Sequence, residues 1–447
     1  MPAVLHLRSE EIDTSEKRGK YTVSVIGCEQ KGVLYATAFA EAGFKVICTD
    51  ADQTLVKRLA KGKTMFYDAE IESKLKSFLR RGQISVTSEL KSAVSQSDII
   101  VMTLTAKIDG NKHLDYLEVE SACKQVGTAL SRGVMFIYGG IAGLGFTEGV
   151  IKENLENTSG LRVGEDFGLV YSPIQVFDQQ PSASIANQEL KVAAMDRTSL
   201  DSAANVLGTI TRRGVKQILD VKTAEAALLF TIAKQDANLA LANELAVFCE
   251  NAGIDYFETL KFVDAHEQSF SPTVQAEDNR NEAYFLIESA ENLNAKLRFH
   301  GLARRINEDM VRHAVNLTRD ALRSCGKTLR RGRVGVLGAA KPTTTMFIKM
   351  LEKKGAKTSL YDPLLPKNEL ADMPRMFKRS LRETVEGTDC IVILTKHDRF
   401  KRLNFKKLRA VMKMPAAIVD LTGIIERQKV EGKGFTYRGL GRGVEKK

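Results

Sequence analysis

A glycine turn followed by an acidic residue is the first pattern in this sequence with a defined chemistry. Tyr21–Gly27 is a short β-branched run that ends in glycine, and Gly32 opens an Ala-rich segment of helical period. A second apolar run ends at Asp50. In dinucleotide-binding βαβ units such glycines let the pyrophosphate approach a helix N-terminus, and the acidic residue holds a ribose hydroxyl. We therefore predict that Gly27, Gly32 and Asp50 bind a dinucleotide. A helix N-cap within Asp50–Asp52 is the alternative role of that carboxylate.

The middle position of this turn carries Glu29, where the G-x-G-x-x-G pattern has its second glycine. A carboxylate about 4 Å from a phosphate costs on the order of 4 kcal/mol at an effective dielectric constant of about 20. That cost corresponds to roughly three decades of affinity. Either a compensating charge on Lys31 or an outward rotation of Glu29 would reduce it, so the sequence predicts a weakened dinucleotide site.

The elements that position these residues form an α/β unit, and the pattern occurs twice. Arg333–Gly338 repeats the strand that ends in glycine, a helix is expected over Thr345–Lys354, and Thr358–Asp362 repeats the strand that ends in aspartate. Strand, turn, helix and strand in this order form the βαβ unit of a parallel sheet. The predicted fold class is therefore α/β, with two Rossmann-like parallel-sheet domains joined by a long central helix.

The central helix is predicted over Val221–Ala252, a stretch without Pro or Gly that is apolar on more than one face. About 30 residues at roughly 1.5 Å per residue span about 45 Å, more than the width of one domain. Such a helix is expected to connect domains and to form a dimer surface.

These elements divide the chain into five regions. We expect a flexible N-terminal tail, a first Rossmann-like domain, a central helical region that includes the dimer surface, a second Rossmann-like domain and a basic C-terminal tail, over residues 1–20, 21–215, 216–328, 329–428 and 429–447 respectively.

The order of segments from Tyr21 to about Glu426 resembles the UDP-glucose/GDP-mannose dehydrogenase family. The segments that carry the resemblance are Leu114–Tyr116 at the usual spacing after Thr105, Ala224–Glu225, Ala240–Ala246, Gly253–Asp255, Tyr284–Leu286, Ala303–Asn307, Leu337–Gly338, Tyr361–Pro363 and Thr395–Phe400. The resemblance implies oxidation of the C6 alcohol of a nucleotide sugar to a carboxylate with two NAD per turnover. It also implies a nucleotide sugar in the C-terminal domain and a homodimer through the long helix. Thr105 is then a further NAD-binding residue, and Lys341 is a candidate contact of the nucleotide sugar, with a solvated surface lysine as the alternative.

The family chemistry needs a thiolate nucleophile, a base and a cation for the oxyanion. Asp278 occupies the position that resembles the family cysteine, and Glu282 the position of the family aspartate four residues later, where it could act as acid or base. The other positions that match family functional residues also carry different side chains, namely Leu228 for lysine, Ile232 for asparagine, Ile141 for threonine and Ile174 for glutamate. The usual thioester route is therefore not expected. Removing one nucleophile from such a set can cost on the order of 10⁶ in rate.

Composition limits the partners. With 66 basic and 55 acidic side chains, the formal net charge of +11 favours anionic ligands. The basic run Lys401–Lys413 has one aromatic residue, so a solvated helix face is expected rather than a nucleic-acid site.

His397 and Asp398 are expected to be turn or cap residues. The cysteines show no CxxC pair, which indicates buried, reduced thiols without a metal. Apolar runs are too short for a membrane span, so a cytoplasmic protein is expected.

Three hypotheses stay open at this point. The first is a divergent nucleotide-sugar dehydrogenase with an altered reaction that uses Glu277, Asp278 or Glu282. The second is a catalytically inactive homologue that binds a nucleotide sugar or regulates a partner. The third is a basic protein that binds nucleic acid, for which steep salt dependence would be the sign.

Overall fold

The computed structural model describes residues 4–64, 66, 68–109, 111–174, 185–263, 271–274, 282–339, 343–363 and 376–443. The chain divides into two compact units. Unit 1 comprises residues 1–231 and 284–294, and unit 2 comprises residues 232–283 and 295–447. Each unit contains one mostly parallel sheet flanked by helices, which confirms the predicted fold class.

Unit 1 is built on an eight-stranded sheet with the order β10-β9-β8-β7-β4-β1-β2-β3. All neighbouring pairs are parallel except β8 and β9. The inner strands are uninterrupted apolar runs because helices cover both faces of the sheet. A separate antiparallel hairpin is formed by β5 and β6. The strands are β1 Thr22–Ile26, β2 Lys45–Thr49, β3 Ile84–Thr87, β4 Ile99–Met102, β5 Lys107–Ile108, β6 Leu114–Asp115, β7 Met135–Tyr138, β8 Gly168–Tyr171, β9 Leu190–Ala194 and β10 Val215–Gln217.

The helices of unit 1 lie between these strands along the chain. Two short 3₁₀ turns, Val4–His6 and Ser9–Glu11, come first, and a π-helical turn, Thr147–Ile151, precedes α7. The α-helices are α1 Ser15–Arg18, α2 Gln30–Ala42, α3 Gln53–Leu59, α4 Ala69–Arg80, α5 Leu90–Ser95, α6 Leu117–Gly127, α7 Lys152–Ser159 and α8 Arg197–Gly208.

Long helices follow. Helix α9 covers Val221–Ala252, as the sequence predicted, and its residues up to Thr231 belong to unit 1 and the rest to unit 2. The predicted central region is therefore shared between the two units rather than separate. The remaining helices of this part of the chain are α10 Tyr256–Leu260, α11 Ala283–Asn292 and α12 Arg298–Ser324.

Unit 2 contains a five-stranded, all-parallel sheet with the order β12-β11-β13-β14-β15. Its elements are β11 Arg333–Leu337, α13 Thr343–Lys353, β12 Lys357–Tyr361, α14 Leu381–Val385, β13 Cys390–Ile393, α15 Asp398–Lys401, α16 Phe405–Val411, β14 Ala417–Asp420, α17 Arg427–Glu431 and β15 Thr436–Gly439.

Both expected tails are better packed than predicted. Near the N-terminus, Val4, Leu7 and Ile12 are buried in the core of unit 1, and Asn205 Nδ2 of α8 donates a hydrogen bond of 3.1 Å to the Leu7 carbonyl. These apolar side chains are enough to hold the segment against α8, so the prediction of a flexible tail over residues 1–20 was wrong for this part.

The expected C-terminal tail contributes a strand to a sheet. Strand β15 pairs in parallel with β14, and Val430 and Tyr437 are buried. The predicted boundary at residue 428 was therefore too early. The apolar residues that form this strand are few and lie among Gly and Lys residues, so the sequence pattern did not predict a strand here. No helix in the described parts of the chain has the length and apolar character needed to cross a membrane.

Candidate functional site

The candidate site of unit 1 lies at the carboxyl ends of β1 and β4. The chain runs from β1 to β2 and β3 on one side of the sheet, and β4, β7 and β8 follow on the other side. Open α/β sheets bind ligands outside the carboxyl ends of the strands at such a switch point.

The turn between β1 and α2 requires glycine at both predicted positions. Gly27 has a φ of +83°, a left-handed conformation that favours glycine. A Cβ on Gly32 would lie 1.9 Å from the Gly27 carbonyl oxygen, so the start of α2 packs directly on the turn. Thr103 Oγ1, after β4, donates a hydrogen bond of 2.6 Å to the same carbonyl. The structure thus brings the two glycines together at the N-terminus of α2.

The carboxylate of Asp50 holds this turn. Asp50 Oδ2 accepts a hydrogen bond of 2.7 Å from Cys28 N, and Oδ1 accepts one of 2.9 Å from Asp52 N. The N-cap of α3 is Asp52, whose Oδ1 accepts from Thr54 N at 2.7 Å. The alternative role of Asp50 as helix N-cap was therefore wrong. Each Asp50 oxygen has a second lone pair with which it can accept a hydrogen bond from a ribose hydroxyl. That contact stays a prediction.

Glu29 is the N-cap residue of α2, with φ −69° and ψ −157°, which is ordinary extended backbone. The turn therefore accepts a side chain here without strain. The residue is exposed as a whole, yet partial desolvation of its carboxylate and then the charge of Asp50 raise the pKa of Glu29. The backbone has the shape that receives a pyrophosphate, and an ionised Glu29 opposes an anion there.

The loop that follows β7 is held by side chains from several helices. Tyr116 Oη accepts from Gly143 N at 3.2 Å, and Ser289 Oγ accepts from Leu144 N at 3.0 Å. The carboxylate of Glu225, on α9, accepts from Gly145 N at 2.5 Å and from Thr147 N at 2.9 Å. This loop borders the second half of the crevice because β7 is the neighbour of β4.

Glu225 is fully buried, and its desolvation raises the pKa of the carboxyl although the two N–H donors favour the ionised form. In the sequence, Glu225 stood out only as part of the family resemblance. An acidic residue inside the apolar run Ala224–Phe230 was the available signal for its role as an anchor.

Thr105, predicted to bind NAD, takes part in the same region. Its Oγ1 accepts a hydrogen bond of 3.3 Å from Ile141 N, so it links the loop after β4 to the loop after β7. The Tyr116 ring stacks on Phe146 with centroids 4.3 Å apart, and burial raises the pKa of Tyr116 to about 12. Thr105 therefore lies beside the crevice, and its contact with NAD stays a prediction.

The six cysteines are all described, and all are buried with free thiols, as predicted. Burial raises the pKa of Cys123 to about 12, and it also raises the pKa of Cys249 and Cys390. The thiol of Cys28 has a pKa well above its usual value because it contacts Cys48 in a buried place. None of the six thiols has the solvent exposure of a nucleophilic cysteine.

Some of the predicted catalytic positions lie within the described residues. Glu282 directly precedes α11 and is half-buried. Leu228 and Ile232 are buried on α9, and Ile141 is buried in the loop after β7. Asp278, Glu277 and Lys341 lie outside the described residues. The replacement of the family catalytic set therefore stays a prediction.

Unit 2 repeats the turn. Gly338 has a φ of +95°, and a Cβ there would lie 1.9 Å from Thr395 Oγ1. Ala339 N donates a hydrogen bond of 2.9 Å to Asp362 Oδ2 at the end of β12. His397 caps α15 by accepting a hydrogen bond of 3.0 Å from Arg399 N, which confirms the cap prediction. The basic side chains after it are exposed, as expected for a solvated face.

Comparisons with known proteins agree with this geometry. Residues 21–204 match the UDP-glucose/GDP-mannose dehydrogenase family, NAD binding domain, and residues 343–427 match the UDP binding domain of the same family. A UDP-N-acetyl-D-mannosamine dehydrogenase from Pyrococcus horikoshii is 27% identical over 437 residues, which cover 94% of this chain and 99% of that protein. A UDP-glucose 6-dehydrogenase from Rhizobium meliloti is 22% identical, with 94% of this chain and 99% of that protein covered.

A solved structure of UDP-D-ManNAc dehydrogenase from Pyrococcus horikoshii has a TM-score of 0.82 and 24% identity, and covers 94% of this chain and 99% of that one. This likeness shows the fold. Two matched domains that together span more than half of the sequence show the family. The chain belongs to the UDP-glucose/GDP-mannose dehydrogenase family, a family of NAD-dependent nucleotide-sugar dehydrogenases.

Proposed function

We propose that this chain oxidises the C6 alcohol of a UDP-N-acetylhexosamine with NAD as the oxidant. The observation that carries the proposal is the pair of glycine turns, each closed by a carboxylate, in domains that match the NAD binding and UDP binding models of one family. The name of the Pyrococcus horikoshii relative supports UDP-N-acetyl-D-mannosamine as the first substrate to test.

NAD, when bound, would supply the hydride acceptor for the C6 carbon, and Gly27, Gly32 and Asp50 would hold it. The protein must then remove the proton from the C6 hydroxyl, which leaves an aldehyde. Glu282 is the proposed proton acceptor, because it is half-buried beside α11 and matches an acidic position of the family. The loop anchored by Glu225 is proposed to position the nicotinamide half of NAD, since it borders the second half of the crevice.

The cysteines support a reaction that differs from the family route. A thioester needs an accessible thiolate, and all six thiols are buried. We therefore propose that the reaction ends at the aldehyde, with one NADH formed per sugar. A four-electron oxidation would form two.

The test is the stoichiometry of the reaction. Purified protein is incubated with a limiting amount of UDP-N-acetyl-D-mannosamine and an excess of NAD, and NADH is followed by absorbance while the sugar product is identified by mass spectrometry. One NADH and an aldehyde support the proposal. Two NADH and a uronate contradict the aldehyde end point. Binding of both ligands without NADH contradicts catalysis and favours the role of a nucleotide-sugar binder. UDP-glucose serves as the matched comparison substrate.

We also propose a homodimer through α9. Leu241, Leu245 and Phe248 lie on one face of this helix because of their spacing, and they are 57%, 43% and 61% exposed. Phe299 and Leu302 of α12, in the same unit, are also exposed. A second copy is the proposed occupant, because the stripe is apolar and a homodimer through this helix is what the family resemblance implies.

The oligomeric state is measured by light scattering after size-exclusion chromatography. The substitution Leu245→Glu is expected to give monomers, because it places a charge in the middle of the stripe. Leu219→Glu is the matched control, since Leu219 is 92% exposed in unit 1. A monomeric wild-type protein, or a Leu245→Glu variant that stays dimeric, would contradict this interface.

A further inference from the structure

Glu29 occupies the place in unit 1 where an anionic cofactor meets the helix N-terminus. It is the N-cap residue of α2, two residues after Gly27. A pyrophosphate binds at such an N-terminus because the first backbone N–H groups of the helix point towards it and the helix dipole favours negative charge. An acidic side chain at this position therefore competes with the phosphates for the same favourable field.

Charged groups from every neighbouring element act on Glu29. Asp50, at the end of β2, and Glu118, on α6, raise the pKa of its carboxyl. Lys107, on β5, and Lys31, on α2, lower it by a smaller amount than partial desolvation and Asp50 raise it. Two neighbouring carboxylates therefore oppose the ionisation of Glu29 and two ammonium groups favour it before any ligand is present.

The two ammonium groups are not equally placed to compensate Glu29. Lys107 Nζ lies 2.5 Å from Glu118 Oε2 and is also influenced by Asp115. Its charge is therefore shared with a nearer carboxylate. A bound pyrophosphate adds two further negative charges to this group, so an ionised Glu29 is left facing an excess of like charge.

Protonation removes this conflict. A neutral carboxylic acid has an O–H donor, and phosphate oxygens are strong acceptors, so the same side chain that repels the pyrophosphate when ionised donates a hydrogen bond to it when neutral. The backbone at Glu29 is unstrained, so the turn need not rearrange between these forms.

We propose that Glu29 binds the pyrophosphate of NAD in its neutral form, so that NAD binding takes up a proton from solution wherever free Glu29 is ionised. The inference rests on NAD binding by unit 1 and is independent of which sugar is oxidised. It identifies Glu29 as the residue that sets the affinity for the cofactor and makes that affinity dependent on pH.

The direction of the effect follows from linkage. The complex binds more protons than the free protein whenever free Glu29 is ionised. The dissociation constant of NAD is therefore constant below the pKa of free Glu29 and increases by up to tenfold for each pH unit above it.

Isothermal titration calorimetry with NAD tests the proposal without turnover. Titrations from pH 5 to pH 8, in two buffers of different ionisation enthalpy, give both the dissociation constant and the number of protons taken up. We expect net proton uptake for the wild-type protein at pH values at which free Glu29 is ionised. Glu29→Gln should bind NAD at least tenfold more tightly at pH 7.5, with no uptake, because its amide donates to phosphate and carries no charge.

The matched control is Glu41→Gln at the other end of α2, where the carboxylate is 3.0 Å from Lys74 Nζ. This variant should keep the wild-type pH dependence, which shows that the loss of another carboxylate on α2 does not change proton uptake. Glu29→Gly provides a second variant, expected to bind NAD with no proton uptake.

Three outcomes overturn the proposal. NAD binding by the wild-type protein without proton uptake means that Glu29 rotates away and stays ionised. Proton uptake that persists in Glu29→Gln assigns the proton to another group. Absence of NAD binding at every pH, in the wild-type protein and in both Glu29 variants, overturns the proposed oxidoreductase function as well.

Discussion

The two sheets of this protein use the same backbone device at their first turn. In unit 1, Gly27 has a positive φ and the next residue, Cys28, donates its N–H to Asp50. In unit 2, Gly338 and Ala339 make the same arrangement with Asp362. The carboxylate at the end of the second strand therefore has a structural task in both units, and this task is independent of the ligand that each unit binds.

The correspondence continues at the start of the sheets. Asp98 Oδ2 accepts a hydrogen bond of 2.8 Å from Thr22 N, and Asp389 Oδ2 accepts one of 2.9 Å from Arg333 N. Each aspartate directly precedes the strand that neighbours the first strand on its other side. A carboxylate thus fixes the register of the central strand pair in both units.

The units differ in the loop after the strand that pairs with β4 in unit 1 and with β13 in unit 2, namely β7 and β14. In unit 2, Asp420 ends β14 and accepts hydrogen bonds from the backbone N–H groups that follow it, those of Thr422, Gly423 and Ile425. In unit 1, the N–H groups of the corresponding loop are held by Glu225, about 80 residues further along the chain. A local carboxylate makes the loop of unit 2 self-contained, whereas the loop of unit 1 depends on α9.

The largest effect is expected from a substitution that disrupts the shared turn. Gly32→Ala places a Cβ 1.9 Å from the Gly27 carbonyl oxygen, and the backbone cannot move away without opening the turn. We expect a loss of about 3 kcal/mol in the free energy of unfolding of unit 1, together with loss of NAD binding. Urea unfolding followed by circular dichroism measures the first, and calorimetry the second. Gly208→Ala is the control, because nothing lies within 4 Å of its Cβ position. Equal NAD affinity in Gly32→Ala and wild type would exclude this turn as the cofactor site.

The next effect separates local from distant anchoring. Asp420→Ala and Glu225→Ala each leave buried N–H groups without an acceptor, at a cost of about 2 to 3 kcal/mol. Hydrogen exchange should speed up at residues 422–425 in the first variant and at residues 143–147 in the second. Only Glu225→Ala should also weaken NAD binding. Faster exchange at both loops in either variant would show that the two loops are coupled, contrary to this comparison.

A smaller effect concerns the paired carboxylates of the turns. Asp50→Ala should weaken NAD about tenfold and leave UDP affinity unchanged, and Asp362→Ala should do the reverse. About 1.4 kcal/mol corresponds to a factor of ten, a loss typical of one hydrogen bond to a charged group. Calorimetric titration of both variants with both ligands provides each variant with its own control. A variant that loses both ligands equally would indicate a folding defect rather than a ligand contact.

Periodic patterns in the sequence predicted the local parts of this architecture. The strand–Gly–helix–strand–Asp order occurs twice in the sequence, each time within about 30 consecutive residues. The run without Gly or Pro over residues 221–252 predicted both ends of α9. Ser97-Asp98 and Thr388-Asp389, each directly before an apolar strand, were a further repeat that the sequence offered and that pattern reading missed.

Contacts between residues far apart in the chain could not be predicted from the sequence patterns. Glu225 reads as one acidic residue in a helix, and only the fold brings it to the N–H groups of the loop after β7. The N-terminal segment was expected to be flexible because its apolar residues are few, yet Val4 and Leu7 reach a core that already exists. Whether such residues are buried depends on elements that lie far away in the sequence. The periodicity of a single segment does not predict this burial.

The smallest expected effect concerns the ion pair that supports Asp389. Lys327 Nζ lies 2.8 Å from Asp389 Oδ1. Burial tends to raise the pKa of Asp389, but hydrogen bonds from Lys327 and from Arg333 N outweigh it, and the pKa is lowered from its usual 3.8. A lowered folded-state pKa stabilises the protein above the unfolded-state value, and this contribution is lost as the pH falls through the folded-state value. Lys327→Met should therefore cost about 1 kcal/mol at pH 7, and the difference from wild type should shrink below about pH 4. Urea midpoints at pH 7, 4 and 3 measure it, with Lys401→Met as an exposed control. A cost that stays constant over this range would mean that Lys327 acts through packing of its aliphatic chain rather than through its charge.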